Sequence, residues 1–141
     1  VHSAADVALR KTTAAQVFAS PRPIGSSTAS SGKFTSLETT GQYKSAVTAV
    51  GALDIDCSLG NYFTKTINAN STFTFSNAPS GAYAFALEVE NTSGTISWPA
   101  TVKWPNDTAP TLSTGKTHLF VFVTDDSGAR WRGMAQVNYT T

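Results

Sequence analysis

Two acidic and two basic side chains near one tryptophan are the first group in this sequence whose residue types could do chemistry. Asp125 and Asp126 lie in the turn-like stretch TDDSG, and Trp131 follows between Arg130 and Arg132. Aromatic rings stack on the apolar faces of sugar rings, while guanidinium and carboxylate groups form directional hydrogen bonds to hydroxyls and acidic groups. This combination would suit a surface polysaccharide as a ligand.

Three residues in other turn-rich stretches could extend such a binding surface. They are Asn61, Trp104 and Asn106. Binding residues concentrate on loops that a rigid scaffold holds in place. We therefore expect an exposed tip made of the loops at residues 58–61, 105–109 and 125–132.

The tryptophans also have a structural interpretation. In a small β-domain a tryptophan more often anchors the core or a subunit interface than binds a ligand. If Trp131 points inward, the alternation of a strand turns its neighbours Arg130 and Arg132 outward. The two arginines are then the stronger candidates for receptor binding.

No pair or cluster of reactive side chains points to catalysis. Asp54 and Asp56 could share a cation or flank a sugar, but two solvated carboxylates on the polar face of a strand are the simpler interpretation. His2 and His118 are the only histidines, and they lack partners at zinc-ligand spacing. Cys57 continues an apolar strand face and is interpreted as a small buried hydrophobe. We expect no enzyme activity, no metal ion and no cofactor.

Composition and charge narrow the classes of partner. Ten basic against nine acidic residues give a net charge of +1. The sequence has no Lys/Arg cluster dense enough to follow a phosphate backbone, so we expect no nucleic-acid partner. No apolar stretch approaches the roughly 20 residues that span a bilayer, so we expect no membrane insertion. The chain opens with Val1 in place of Met, and we expect it to be a fragment of a longer polypeptide.

Short runs separated by turn-rich stretches predict strands from Ala46 onward. Charged residues make up only 13% of the chain, which is about half the usual share of roughly 25% and favours strands and turns over surface helices. The run AYAFALEVE alternates like a half-buried strand. The run THLFVFVT is apolar on both faces, which is typical of a central strand between two packed layers. A hairpin turn is expected at residues 125–128, and an edge or loop at the proline-containing residues 97–112.

Residues 1–45 follow a different pattern, with isolated apolar residues among small polar ones. A short helix over residues 6–17 fits this stretch. The segment has little apolar surface to offset an ordering cost of roughly 1–2 kcal/mol per residue. A disordered linker is one interpretation. The other is an extended shaft that orders only when Ile24, Phe34 and Leu37 pack against their equivalents in further copies.

Two stretches carry a resemblance to a known family. The stretch PIGSSTASSGKFTSLETTG at residues 23–41 resembles the shaft motif of tail-fibre proteins of tailed bacteriophages and related prophages. The longer part from ALDIDCSLGNYFTKTI to THLFVFVTDDSGARWRG is similar to a terminal β-module found on many such fibres. The resemblance implies a homotrimer displayed on a virion, with host recognition near its distal end.

The combined expectation is an all-β chain with an antiparallel β-sandwich head at residues 46–141, preceded by an extended, trimer-forming shaft segment at residues 1–45. Its function would be non-catalytic attachment of a virion to a bacterial surface polysaccharide or outer-membrane receptor, through three weak sites acting together. Two alternatives stay open. One is a structural cap that locks the fibre without contacting the host, and the other is a polysaccharide hydrolase with its site across a subunit interface.

Overall fold

The structure, a computed structural model, describes residues 35–140. The predictions for Ile24, Phe34 and a short helix over residues 6–17 lie outside the described residues. Leu37, the third predicted interface residue, has 67% of its surface exposed. Gln42–Thr141 forms a compact unit. In this described part, no helix has the length and apolar character needed to cross a membrane.

Strands dominate residues 35–140, which confirms the predicted all-β class. In chain order they are β1 (Val47–Ala49), β2 (Asp54–Asp56), β3 (Tyr62–Ile67), β4 (Ser71–Thr72), β5 (Thr74–Ser76), β6 (Tyr83–Asn91), β7 (Ile96–Ser97), β8 (Val102–Lys103), β9 (Lys116–Thr124) and β10 (Trp131–Tyr139). Within the described residues, the helical segments are two 3-10 turns, Cys57–Leu59 and Pro105–Asp107. The segment at residues 97–112 carries the last residue of β7, the short edge strand β8, the turn Pro105–Asp107 and loops, in agreement with its prolines.

Six strands form the main sheet, in the order β1-β3-β6-β9-β10-β8. Strands β6, β9 and β10 pair antiparallel, and β9 and β10 form the hairpin that the turn predicted. The pairs β1-β3, β3-β6 and β8-β10 are parallel. Two further sheets, β2-β5 and β4-β7, are two-stranded and parallel.

The prediction of an antiparallel head is therefore wrong for a large part of the molecule, because the sheet is mixed. The alternation of apolar and polar residues indicates which side chains face the core, but it does not indicate the direction of the neighbouring strand. After β3 the chain leaves the main sheet to form β4 and β5, and it then returns to begin β6 beside the start of β3. A connection of this kind makes the two strands parallel, whereas a tight turn would make them antiparallel.

The core lies on one face of the main sheet, which we call the inner face. Its buried side chains are Phe63, Phe85, Leu87, Val89, Phe120, Phe122 and Trp131. On β5, Phe75 places its ring centroid 5.2 Å from that of Phe85 and 5.0 Å from that of Phe122. The sheet β2-β5 thus packs on the inner face, and Ile55 of β2 is fully buried there.

Strand β9 is central in the main sheet, as its sequence predicted. On its inner side Phe120 and Phe122 are 0% exposed. On its other side Leu119, Val121 and Val123 are only partly buried. Residues 35–140 therefore supply one packed layer for this strand, and not the two that its apolar pattern favours.

Candidate functional site

Three loops meet at one end of the main sheet, which we call the loop end. Strands β6 and β9 pair Tyr83 with Thr124, and β9 and β10 pair Val123 with Arg132. Strand β3 runs parallel to β6 and begins beside it. The starts of β3, β6 and β10 and the end of β9 therefore lie together. The loops at this end are residues 57–61, 77–82 and 125–130.

Internal hydrogen bonds hold the turn between β9 and β10. The Thr124 hydroxyl donates to Oδ1 of Asp126 at 2.9 Å and accepts from the Gly128 N–H at 3.0 Å. The same Asp126 oxygen accepts the backbone N–H of Arg130 at 2.9 Å. This backbone hydrogen bond holds the pKa of Asp126 below its usual value. Asp126, predicted as a receptor contact, therefore also fixes the shape of the turn.

An exposed ion-pair cluster, which we call the arginine cluster, lies on this turn and consists of Asp125, Arg130 and Arg132. Nη2 of Arg130 is 3.2 Å from Oδ1 of Asp125, and Nη1 of Arg132 is 3.5 Å from the same oxygen. The three side chains keep about half of their surface exposed. Exposed ion pairs contribute only about 0–1 kcal/mol, so a ligand carboxylate or phosphate can displace Asp125 at low cost.

Trp131 lies in the core, which corrects its prediction as a receptor contact. It is 1% exposed, and its ring centroid lies 5.3 Å from those of Phe75 and Phe85. The alternation of β10 turns Trp131 toward the inner face and Arg132 toward solvent. The arginines, and not the tryptophan between them, are available to a ligand.

The other three predicted contacts lie in different places. Asn61 is exposed at the loop end, where its Nδ2 donates to the Ala84 carbonyl at 2.6 Å. Trp104 follows β8 along the edge of the sheet and is half-buried over Gly133, where a Cβ atom would lie 2.7 Å from its ring. Asn106 is exposed in the next turn, with a positive φ of 54°. Because β8 runs parallel to β10 from the loop end, residues 105–109 follow β8 at the edge of the sheet.

Two residues that hold the loop at residues 57–61 were not recognised from the sequence. The Tyr83 hydroxyl donates to the carbonyl of Cys57 at 3.1 Å and to that of Gly60, and burial raises its pKa to about 12. Asp56 accepts from the hydroxyl and the N–H of Ser58 at 2.6 and 3.0 Å, and the hydroxyl bond lowers its pKa. The Asp-x-Ser spacing is a local pattern that indicates this type of turn. The Tyr83 contact joins residues 23 or more positions apart, so no local sequence pattern indicates it.

The reactive side chains of the described part have structural partners. Both carboxylate oxygens of Asp54 accept hydroxyl hydrogen bonds at 2.6 Å from β5. His118 is 0% exposed, with Nε2 3.0 Å from the Ser113 carbonyl. Cys57 is buried, and burial raises its pKa to about 11. Within residues 35–140, no group of three or more His, Cys, Asp or Glu residues is placed to hold a metal ion.

Comparison of the chain with protein-family models, with curated proteins and with solved structures finds no match. A functional proposal therefore depends on the arginine cluster, on the loops beside it, and on the resemblance that the sequence itself carries.

Proposed function

We propose that this chain is the distal part of a tail fibre of a tailed bacteriophage or prophage, and that it attaches the virion to a bacterial surface as a non-catalytic homotrimer. The resemblance of residues 23–41 to a fibre shaft, and of the β-rich part to a terminal fibre module, supports this class. In the proposed head, the main sheet and the two-stranded sheets on its inner face form a β-sandwich.

The arginine cluster is the observation that carries the proposed attachment. Two guanidinium groups converge on one oxygen of Asp125, in the position that a carboxylate or phosphate of an acidic polysaccharide would take. Arginine suits this role because its planar donors bind such groups in pairs. The turn below the cluster is already fixed by Thr124 and Asp126, so binding orders few additional groups.

Each single site is small and exposed, and its affinity is expected to be weak. A trimer presents three copies to a repeating polymer. The second and third contacts then form at a high effective concentration, and the combined affinity can exceed that of one site by several orders of magnitude. Attachment would therefore depend steeply on the affinity of each single site.

The experiment is attachment of the labelled full chain to a panel of bacterial strains, with competition by purified lipopolysaccharide or capsule. The double variant Arg130→Ala/Arg132→Ala removes two exposed contacts to the ligand anion of up to about 1 kcal/mol each, which is up to about a thirtyfold loss per site. Lys116→Ala is the matched control, because Lys116 begins β9 at the opposite end of the sheet.

Each outcome supports or contradicts a part of the proposal. Loss of attachment in the arginine variant, with unchanged sedimentation and with attachment retained by Lys116→Ala, supports the site. Unchanged attachment of the arginine variant would mean that the two arginines are not part of the attachment site. An oligomeric chain that binds none of the strains favours a structural cap, and release of polysaccharide fragments favours a hydrolase.

A further inference from the structure

The face of the main sheet opposite the core, which we call the outer face, carries a continuous apolar patch. Val121 on β9 pairs with Ala86 on β6 and with Met134 on β10, and Val123 pairs with Ala84. Side chains of directly paired residues point to the same side of a sheet. We call this set the outer patch, and its residues are Ala84, Ala86, Leu119, Val121, Val123 and Met134.

The outer patch is accessible in a single copy of the described residues. Met134 is 52% exposed, and on the edge strand β1 the outward-facing Val47 is 66% exposed. A shallow depression of about 230 Å³ lies on the patch between Val121, Met134 and Gln136. A solvated sheet face normally alternates polar residues outward, and a contiguous apolar surface of this kind marks an interaction site.

The sequence of β9 points to a second packed layer. Its run THLFVFVT is apolar on both faces, which is typical of strands covered on both sides. Phe120 and Phe122 fill the layer on the inner face. Leu119, Val121 and Val123 are equally apolar and face the side that residues 35–140 leave uncovered.

The surroundings of the outer patch have the arrangement of a protein interface, with an apolar centre and a polar rim. Glu88 on β6 pairs directly with Leu119, Arg132 on β10 pairs directly with Val123, and Glu90 lies one outward position further along β6. The two carboxylates are held in place by hydroxyl hydrogen bonds of 3.0 Å from Tyr62 and Thr66. The row formed by Ala86, Val121 and Met134 is apolar across three neighbouring strands and lies between these charged residues.

The area of the face is close to what a stable contact needs. The nine-residue strands β6, β9 and β10 and the six-residue strand β3 lie about 4.8 Å apart and rise about 3.3 Å per residue, which gives a flat footprint of roughly 500 Å². A standard interface buries about 800 Å² of accessible surface per partner, and accessible surface exceeds the flat footprint.

From these observations we infer that the outer patch binds a second copy of this chain and is the subunit interface of the homotrimer. The inference deepens the proposed function and depends on the trimer that it contains. Cyclic symmetry gives every copy the same direction along the axis. With strands running along that axis, the three loop ends lie on the same side and present their arginine clusters together.

Sedimentation velocity of the full chain tests the interface. The wild-type chain should sediment as a trimer, and Val121→Glu should sediment as a monomer with an unchanged far-UV circular dichroism spectrum, because it places a charge in the middle of the patch. Ala109→Glu is the matched control on an exposed loop and should remain a trimer. A folded Val121→Glu variant that still forms trimers would overturn the inference and leave the trimer of the proposed function intact.

A second readout does not require a variant that folds. Met134 is the only methionine of the chain, so its oxidation by hydrogen peroxide appears as a single mass increase. In the wild-type trimer it should oxidise at least severalfold more slowly than free methionine, and the protection should disappear on dilution to monomer. Full reactivity in the trimer, or protection that persists in a monomer because another part of the chain covers the patch, would overturn the inference. Attachment to cells is measured separately, so loss of the interface and loss of the attachment site are distinguishable.

Discussion

Replacement of Trp131 by Ala distinguishes a core tryptophan from a receptor-binding one. Trp131 is 1% exposed, and the rings of Phe75 and Phe85 lie 5.3 Å from its own. Truncation of such a side chain costs about 3–5 kcal/mol of the free energy of unfolding, because the surrounding groups refill only part of the cavity. Whole domains are stable by about 5–15 kcal/mol, so this is a large fraction of the total.

The expected shift is large enough to measure in urea. With a denaturant dependence of about 2 kcal/mol/M, the loss lowers the unfolding midpoint by roughly 2 M. Arg132→Ala is the matched control, because Arg132 is the next residue along the same strand and its side chain is 55% exposed. Its effect on the free energy of unfolding should stay within about 0.5 kcal/mol.

Far-UV circular dichroism across a urea series measures both variants. Protein concentration is held constant, since assembly makes the apparent stability depend on it. The reasoning is refuted if Trp131→Ala unfolds at the same urea concentration as the wild-type chain and has lost attachment to cells. That result would indicate that Trp131 contacts the receptor and does not stabilise the core.

Three further predictions concern backbone and side chains near the core. A Cβ at Gly94, where φ is +98°, would lie 2.2 Å from the carbonyl carbon of Ala69, so Gly94→Ala should lower the free energy of unfolding by more than about 1 kcal/mol. Gly51→Ala, with nothing within 4 Å, is the control in thermal denaturation, and equal melting temperatures would contradict the clash. Burial raises the pKa of Tyr83 to about 12, above its unfolded value near 10, so this contribution to stability is complete below about pH 10 and is lost as the pH rises toward 12. Tyr83→Phe should flatten the decline of stability over that range, and a slope identical to that of the wild-type chain would argue against it. Burial raises the pKa of the Cys57 thiol to about 11, so at pH 8 it should react with a disulfide reagent only after unfolding, and rapid reaction of the folded chain would contradict its burial.

The parts of the fold that the sequence predicts are those that local chemistry determines. The turn residues after Thr124 specify the β9-β10 hairpin, and the alternation after the turn specifies that Trp131 and Arg132 face opposite sides. The β-rich class follows from the low charge and the alternating runs. Each of these features depends on residues that are close together in the chain.

The direction of β1, β3 and β8 could not be predicted in the same way. Parallel pairing here depends on which route the chain takes between distant strands, and alternation is the same in both directions. The position of Asn106, just past the end of β8, likewise follows from the parallel pairing of β8 with β10. The Tyr83 contact with the Gly60 carbonyl likewise depends on tertiary structure alone.

The outer face carries apolar residues that residues 35–140 of one copy leave uncovered. Val121 and Leu119 gave β9 the pattern of a strand buried on both sides, and that pattern predicted its central position correctly. The second layer was expected within the same head, but residues 35–140 do not provide it. The proposed interface between copies accounts for the apolar residues on this face.

Attachment at the loop end is tested most directly by hydrogen–deuterium exchange of the full chain, with and without the purified surface polysaccharide of a strain that it binds. Slower exchange in residues 125–132, with no change across the outer patch, is the predicted result. Unchanged exchange in residues 125–132 with protection elsewhere on the chain would contradict the proposed attachment site.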